Sequence, residues 1–271
     1  MSPISANGSR LPTYFISHGG GPCFFMNWNP PDTWKGLGDW LARIGADVGR
    51  KPAAVIVVSA HWEAPAFAVT GAAQPALIYD YQGFPPHTYQ LRYPAPGAPA
   101  LAQRVTELLT TAGLSAQVDS TRGWDHGVFI PFKLIYPQAD VPIVQLSLKR
   151  GLNPAEHIAA GRALAPLRGE GVLIVGSGYS YHNMRGYGGA GEQAAAEFDT
   201  WLSDAMTQHA PAEREALLRG WEQAPSARAA HPREEHLLPL MVVAGAAAED
   251  AGTRVFAEKV WGIATSGFRF G

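Results

Sequence analysis

Three of the chain's nine histidines sit where a short apolar run gives way to polar residues: His18 after residues 12–17, His61 after residues 53–60, and His182 shortly beyond residues 172–175. Neutral imidazole is the commonest metal ligand, and three nitrogen or oxygen donors that leave coordination positions open suit Fe(II) or catalytic zinc. His236 stands at the junction of a charged turn and an apolar body in residues 230–247, with Glu235 beside it as a carboxylate alternative. The spacing matches no compact metal motif such as HExxH. Position alone favours His18, His61 and His182 as ligands, with His236 in reserve and Glu63 as a weaker carboxylate candidate. His157, His209 and His231 read as solvated or hydrogen-bonded side chains, and nothing beside His87 singles it out.

Two patterns imitate nucleophilic enzymes. His18-Gly19-Gly20-Gly21 has the form of the HGGG oxyanion loop of esterases, but that chemistry needs a G-x-S-x-G elbow, which the sequence lacks. Gly123 to Gly127 is G-x-D-x-G, yet polar Asp119-Ser120-Thr121-Arg122 precedes it where a buried strand should run. The single cysteine, Cys23, reads as packing rather than as a thiol nucleophile.

The elements that must position these groups alternate between strands and helices. Residues 54–58 are wholly apolar and mostly β-branched, as in a strand buried on both faces. The reading ends that strand just before His61. Further strands are expected at 12–17, 67–70, 116–118 (an edge), 141–148, 172–175 and, as a terminal pair, 254–270. Helices are expected after Asp32 as cap, at 99–111, from the Asn153-Pro154 cap to about 168, at 192–208, at 211–221 and from Pro232 onward. Residues 75–97, with tyrosines among prolines and glycines, read as a loop. In open α/β sheets ligands bind beyond the carboxyl ends of the strands, which is where His18, His61 and His182 fall.

Hydrophobic residues make up 46% and charged residues 16%, against roughly a quarter charged in an average globular chain, so a large core is available. No linker marks a boundary, and the 271 residues read as a single catalytic domain with residues 1–11 as a flexible N-terminal extension. A net charge of -2 without a Lys/Arg run excludes nucleic acid and anionic membrane as main partners. One cysteine excludes an internal disulfide and fits a cytoplasmic location, and the longest apolar stretch, 237–248, is too short to span a bilayer. Nothing sets an oligomeric state.

The motifs, taken together and in order, resemble one family. They are His18 in HGGGP, SAHW at 59–62, YDYQGFP at 79–85, YPAPG at 93–97, WDHG at 124–127, VPIVQLSL at 141–148, SG followed by His182-Asn183, and EEHLLPL at 234–240. This series, running from about residue 12 to 245, resembles the class III extradiol ring-cleaving dioxygenases of the L-DOPA 4,5-dioxygenase type. The resemblance implies a three-layer α/β/α fold with a mixed, mostly parallel sheet. It also implies a non-haem Fe(II) centre, with zinc in some relatives as purified, and a small aromatic diol and O2 as substrates. Its metal ligands would be His18, His61 and His236, with His182 as acid/base and His126 as a second histidine toward substrate and oxygen. His182 thereby changes role. A zinc hydrolase on the same fold and a non-catalytic metal or aromatic-ligand binder are the alternatives. Phe24, Phe25, Trp62, Tyr179 and Tyr181 are candidates to sandwich a planar ring, and Arg122, Arg185 or Arg233 to clamp a substrate carboxylate.

Overall fold

Eight strands hydrogen-bond into one sheet in the computed structural model, which describes residues 10–271. The strands are β1 (Thr13–Ser17), β2 (Ala54–Ala64), β3 (Phe67–Thr70), β4 (Ala116–Asp119), β5 (Ile143–Lys149), β6 (Val172–Gly178), β7 (Gly252–Val260) and β8 (Ile263–Phe270). Their order is β4-β3-β5-β2-β6-β1-β8-β7. The four central strands β5, β2, β6 and β1 run parallel, β3 meets β5 antiparallel, and β8 and β7 close the far edge antiparallel. The sheet is therefore mixed with a parallel centre.

The helices are α1 (Lys35–Asp47), α2 (Pro99–Thr111), α3 (His126–Ile135), α4 (Pro154–Leu164), α5 (Glu192–Thr207), α6 (Pro211–Arg219), α7 (Ala227–Ala230) and α8 (Leu238–Ala247). Alternate strand residues face opposite sides, and the two sides form two cores. Val55 and Val57 of β2 pack with α1 and α3, whereas Ile56 and Val58 pack with α2, α4, α5 and α8. This is the three-layer α/β/α fold.

Several boundaries differ from the sequence reading. β2 continues through His61 to Ala64, but its pairing with β5 jumps from Val58–Leu146 to Glu63–Leu148. The extra residues bulge out of the ladder, and a bulge re-aims side chains. His61 is therefore set by an irregularity inside the strand. The last helix begins at Leu238, so His236 lies in the turn before it, and α1 starts at Lys35 without a side-chain cap from Asp32. Helix α3 had no counterpart in the sequence reading: it is short and holds Pro131, which reads as a helix breaker. Residues 1–9 of the expected extension lie outside the described residues. Arg10 and Leu11 are tied down: Arg10 pairs with Asp250 at 2.8 Å, and buried Leu11 donates its N–H to Arg168 O.

Glycine brings the start of α8 onto β6. A Cβ on Gly178 would collide with the carbonyl oxygen of His236, which accepts the Tyr179 N–H at 2.9 Å. Gly178→Ala is expected to destabilise the protein by about 1–3 kcal/mol through this overpacking. Denaturant unfolding checks the loss, and metal content measured alongside should fall as His236 is pushed away.

Candidate metal centre and active site

His18, His61 and His236 meet at the carboxyl ends of the central strands. His18 follows β1 directly and donates its backbone N–H to Gly178 O. His61 stands on the bulge of β2, and its backbone N–H donates to Ser59 Oγ at 3.2 Å. The Nε2 atoms of His61 and His18 are 3.1 Å apart, and those of His236 and His61 are 3.3 Å apart. One ion ~2 Å from each nitrogen, at angles between octahedral and tetrahedral, separates its ligands by about 3.0–3.4 Å. The donor set fits a metal.

The other ring nitrogens explain why the lone pairs face inward. Pro131 lies within α3 and has no N–H to offer Gly127 O four residues earlier. That carbonyl accepts the Ser177 hydroxyl instead. With its proton so used, Ser177 Oγ can only accept from His18 Nδ1–H, at 3.2 Å. His18 Nε2 is left bare. Glu235 Oε1 lies 2.9 Å from His236 Nδ1, and Asp80 Oδ2 lies 3.6 Å from His61 Nδ1, so carboxylates favour the proton on those atoms too. Burial works against ionisation of Glu235 and Asp80, but the ring N–H groups of His182 and His126 outweigh it and hold both carboxyls below their usual range.

Burial, and then the crowding of neighbouring imidazoles, disfavours the charged form of all three. His18 and His236 fall well below the usual histidine value, and His61 is pushed down to about 3 although Asp80 opposes the shift. All three are neutral at pH 7 and ready to ligate.

Two more histidines flank the triple. His182 stacks on His236 with centroids 3.4 Å apart, and its Nδ1 is 3.2 Å from Glu235 Oε1. His126, the first residue of α3, lies 4.0 Å from the His61 ring, and its Nδ1–H and backbone N–H both reach Asp80 Oδ1, at 2.8 and 3.0 Å. Both Nε2 atoms are thus available to a ligand. Two other groupings gather metal-binding atoms, His61 with Asp80 and His126, and His182 with Glu235 and His236. In these the carboxylate already accepts ring N–H groups. Only His18, His61 and His236 turn three bare nitrogens toward one another. Position in sequence made His182 a ligand and His236 the reserve; the geometry puts His236 in the triple and His182 beside it.

Beneath His61, fully buried Asp125 accepts from the Ser59 hydroxyl at 2.7 Å, from the Gln145 amide and from Arg122. Burial, reinforced by the nearby Asp80 charge, raises its carboxyl despite these donors.

The five histidines form the floor of a cavity of ≈ 350 Å³. Of the five aromatics named as candidates to sandwich a ring, Tyr179 lines it, and Phe25 lies under the Lys133 ammonium outside the lining. Trp62, adjacent to His61 on a strand, points to the opposite side against Ala64 and Ala68 under the Arg122 guanidinium. Phe24 packs against Trp34, outside the cavity, and Tyr181 is buried with its hydroxyl against Gly186 and Gly191. Trp28, Trp34, Phe84, Tyr187 and Trp261 line the cavity instead. Sequence reasoning also passed over Asp80, inside the quoted YDYQGFP motif, and Ser177. Glu63 is absent from the site because Arg233 holds it through both oxygens, at 2.6 and 2.7 Å. Cys23 is buried beneath Gly19, and burial pushes its thiol up, away from nucleophilic use. His157 and His231 are buried and hydrogen-bonded to backbone, His209 pairs with Asp204, and His87 Nε2 meets Phe25 O.

Two outcomes are expected. Ser177→Ala removes the acceptor that fixes the His18 tautomer and should weaken metal binding by about 10–100-fold, read by competition with a chelator. The unfolded chain takes up a proton at His61 near 6.5, whereas the folded chain does so only near 3. Stability of the metal-free protein should therefore fall as pH drops through that window. His61→Gln should remove the His61 share of that dependence and leave the share of the other buried histidines, as measured by Tm against pH.

Residues 12–268 match the family described as the catalytic LigB subunit of aromatic ring-opening dioxygenase. A dioxygenase from Hapsidospora irregularis is 39% identical over 93% of this chain and 83% of its own length, and a 4,5-DOPA dioxygenase extradiol from Beta vulgaris is 41% identical over 88% of each. The crystal structure of an uncharacterized protein from Escherichia coli K12 superposes with a TM-score of 0.76 at 31% identity, covering 97% of this chain and 100% of that one. Among the described residues no helix is long and apolar enough to cross a membrane. With its histidine cluster at the rim of a mixed sheet, the chain belongs to the LigB family of aromatic ring-opening dioxygenases, the class III extradiol enzymes.

Proposed function

We propose that residues 10–271 form a single catalytic domain in which His18, His61 and His236 hold Fe(II), and that the enzyme opens the ring of a catechol with a small side chain of the L-DOPA or caffeate kind. The observation that carries this reading is the inward convergence of three bare Nε2 atoms at the floor of the cavity. Held by these three histidines, Fe(II) would supply the chemistry that lets a catechol and O2 combine, two substrates that otherwise react slowly for spin reasons.

The chain's own groups supply the proton handling. With Nδ1 directed at Glu235, His182 presents Nε2 to accept a catechol hydroxyl proton and later return it, as general base and then acid. His126, held the same way by Asp80, also accepts when neutral. With a proton on Nε2 as well, it is a donor to oxygen, its ring oriented by the Nδ1 contact to Asp80. Tyr179 closes one wall and limits water beside the reacting oxygens. Both atoms of O2 enter the product, a muconate semialdehyde. A reducing cytoplasm is the setting this reading assigns, since Fe(II) and the free Cys23 thiol both persist there.

Reconstitution with Fe(II) under anaerobic conditions, followed by oxygen uptake over a catechol panel, tests the function. Stoichiometric uptake supports it, whereas its absence with metal bound contradicts it. Ester hydrolysis that survives exclusion of iron and oxygen would favour a zinc hydrolase. The roles separate by substitution. His236→Ala should lose metal, whereas His182→Ala should keep metal and lose turnover by about 10²–10⁴-fold. Metal analysis and initial rates check both.

A further inference from the structure

Above its histidine floor the cavity changes character. The outer wall consists of Trp28, Trp34, Phe84, Met184, Tyr187 and Trp261, and among the described residues no Lys, Arg, Asp or Glu side chain lines it. The arginines that sequence reading offered as carboxylate clamps stand elsewhere. Arg233 is paired with Glu63, Arg122 lies over Trp62 and donates to Asp125, and exposed Arg185 is not part of the lining.

Trp261 is the unusual member. It occupies the two-residue turn between β7 and β8 with φ 51°, followed by Gly262 with φ 80°, a left-handed turn that favours Asn-Gly and strains a bulky residue. The turn tips the indole over the mouth, 5.1 Å from the Trp28 ring, 5.6 Å from Trp34 and 6.0 Å from Tyr187. Trp261 and Met184, at 43% and 69% exposure, are the exposed large hydrophobic side chains among the described residues, and both border this cavity. Strain of this kind is kept where surrounding contacts hold it, and it gathers at ligand clamps.

We propose that the outer wall is a subsite for an uncharged, apolar ring substituent, so that the enzyme takes neutral alkyl- or aryl-substituted catechols in preference to those bearing a carboxylate or an amino acid. The proposal rests on the ring-opening reading above and replaces its L-DOPA- or caffeate-like side chain with an uncharged one. An ionised carboxylate entering this wall would shed water without gaining a cation, whereas an alkyl chain gains from every apolar contact. An ammonium needs open aromatic faces. Here Trp28, Trp34 and Trp261 meet one another at interplanar angles of 58–70°, edges against faces, and among the described residues no carboxylate lines the cavity.

The test compares 4-propylcatechol, 3-(3,4-dihydroxyphenyl)propionate and 2-(3,4-dihydroxyphenyl)ethylamine, matched in chain length, on the Fe(II)-loaded protein. Oxygen uptake gives kcat/KM, and anaerobic quenching of tryptophan fluorescence gives Kd. The propyl compound should show a kcat/KM about tenfold or more higher, and a Kd about tenfold or more lower, than both charged ones. Trp261→Asn keeps a residue suited to the left-handed turn and should cut the ratio of kcat/KM for 4-propylcatechol to that for catechol by about tenfold. A charged compound equal to or better than the propyl one, or a ratio untouched by Trp261→Asn, overturns the proposal. If no catechol is opened but the Kd order holds, the subsite stands and the catalytic reading fails; if catechols are opened in another order, the subsite fails and the catalytic reading stands.

Discussion

Three uncharged imidazole nitrogens, with His61 Nε2 3.1 Å from that of His18 and 3.3 Å from that of His236, are the constraint on which the site depends. Lone pairs at that separation repel and protonation is suppressed by burial, so a cation between them is the chemistry that relieves the arrangement. What keeps the lone pairs inward is a set of acceptors on the far side of each ring. The chain from Pro131 through the Gly127 carbonyl and the Ser177 hydroxyl to His18 is the most telling. A proline in a helix ordinarily costs a hydrogen bond. Here the freed carbonyl orients a serine, and the serine orients an imidazole.

The fold delivers these rings from segments far apart in sequence. β1 and β2 lie on either side of β6, so His18 and His61 reach the same rim. The bulge in β2 turns His61 inward while Trp62 goes to the other side of the sheet. His236 comes from outside the sheet, and the absence of a side chain at Gly178 lets its backbone approach β6 closely enough to add the third nitrogen. The same two carboxylates then act twice. Asp80 faces both His61 and His126, and Glu235 both His236 and His182, so each links a proposed ligand to a proposed proton carrier. Moving either carboxylate disturbs metal and proton chemistry together.

Much of this was legible in the sequence, and the failures have physical reasons. Apolar runs ending on His18 and His61 located the rim, and the ordered motifs brought in His126 and His236. Strand periodicity could not reveal that His61 stands on a bulge, since bulges arise from pairing with a partner strand. Helix α3 is short and interrupted by Pro131, which reads as a stop to a helix. Asp80 sits in a loop without periodicity, and its value appears only when the loop folds back onto His126 and His61. The pocket aromatics were the least legible. Trp62 and Tyr181 are sequence neighbours of site residues, but alternation along a strand and burial in the core take them elsewhere, while Trp28, Trp34 and Trp261 converge from three remote segments.

The central claim is that one ion binds between His18, His61 and His236 and is held by neither carboxylate. Anomalous diffraction from crystals of the metal-loaded protein, recorded on either side of the metal absorption edge, tests this directly. A single peak within bonding distance of the three Nε2 atoms, with Asp80 and Glu235 still on the Nδ1 sides of their histidines, is the predicted result. A peak bonded to Asp80 between His61 and His126, or to Glu235 between His182 and His236, would contradict it.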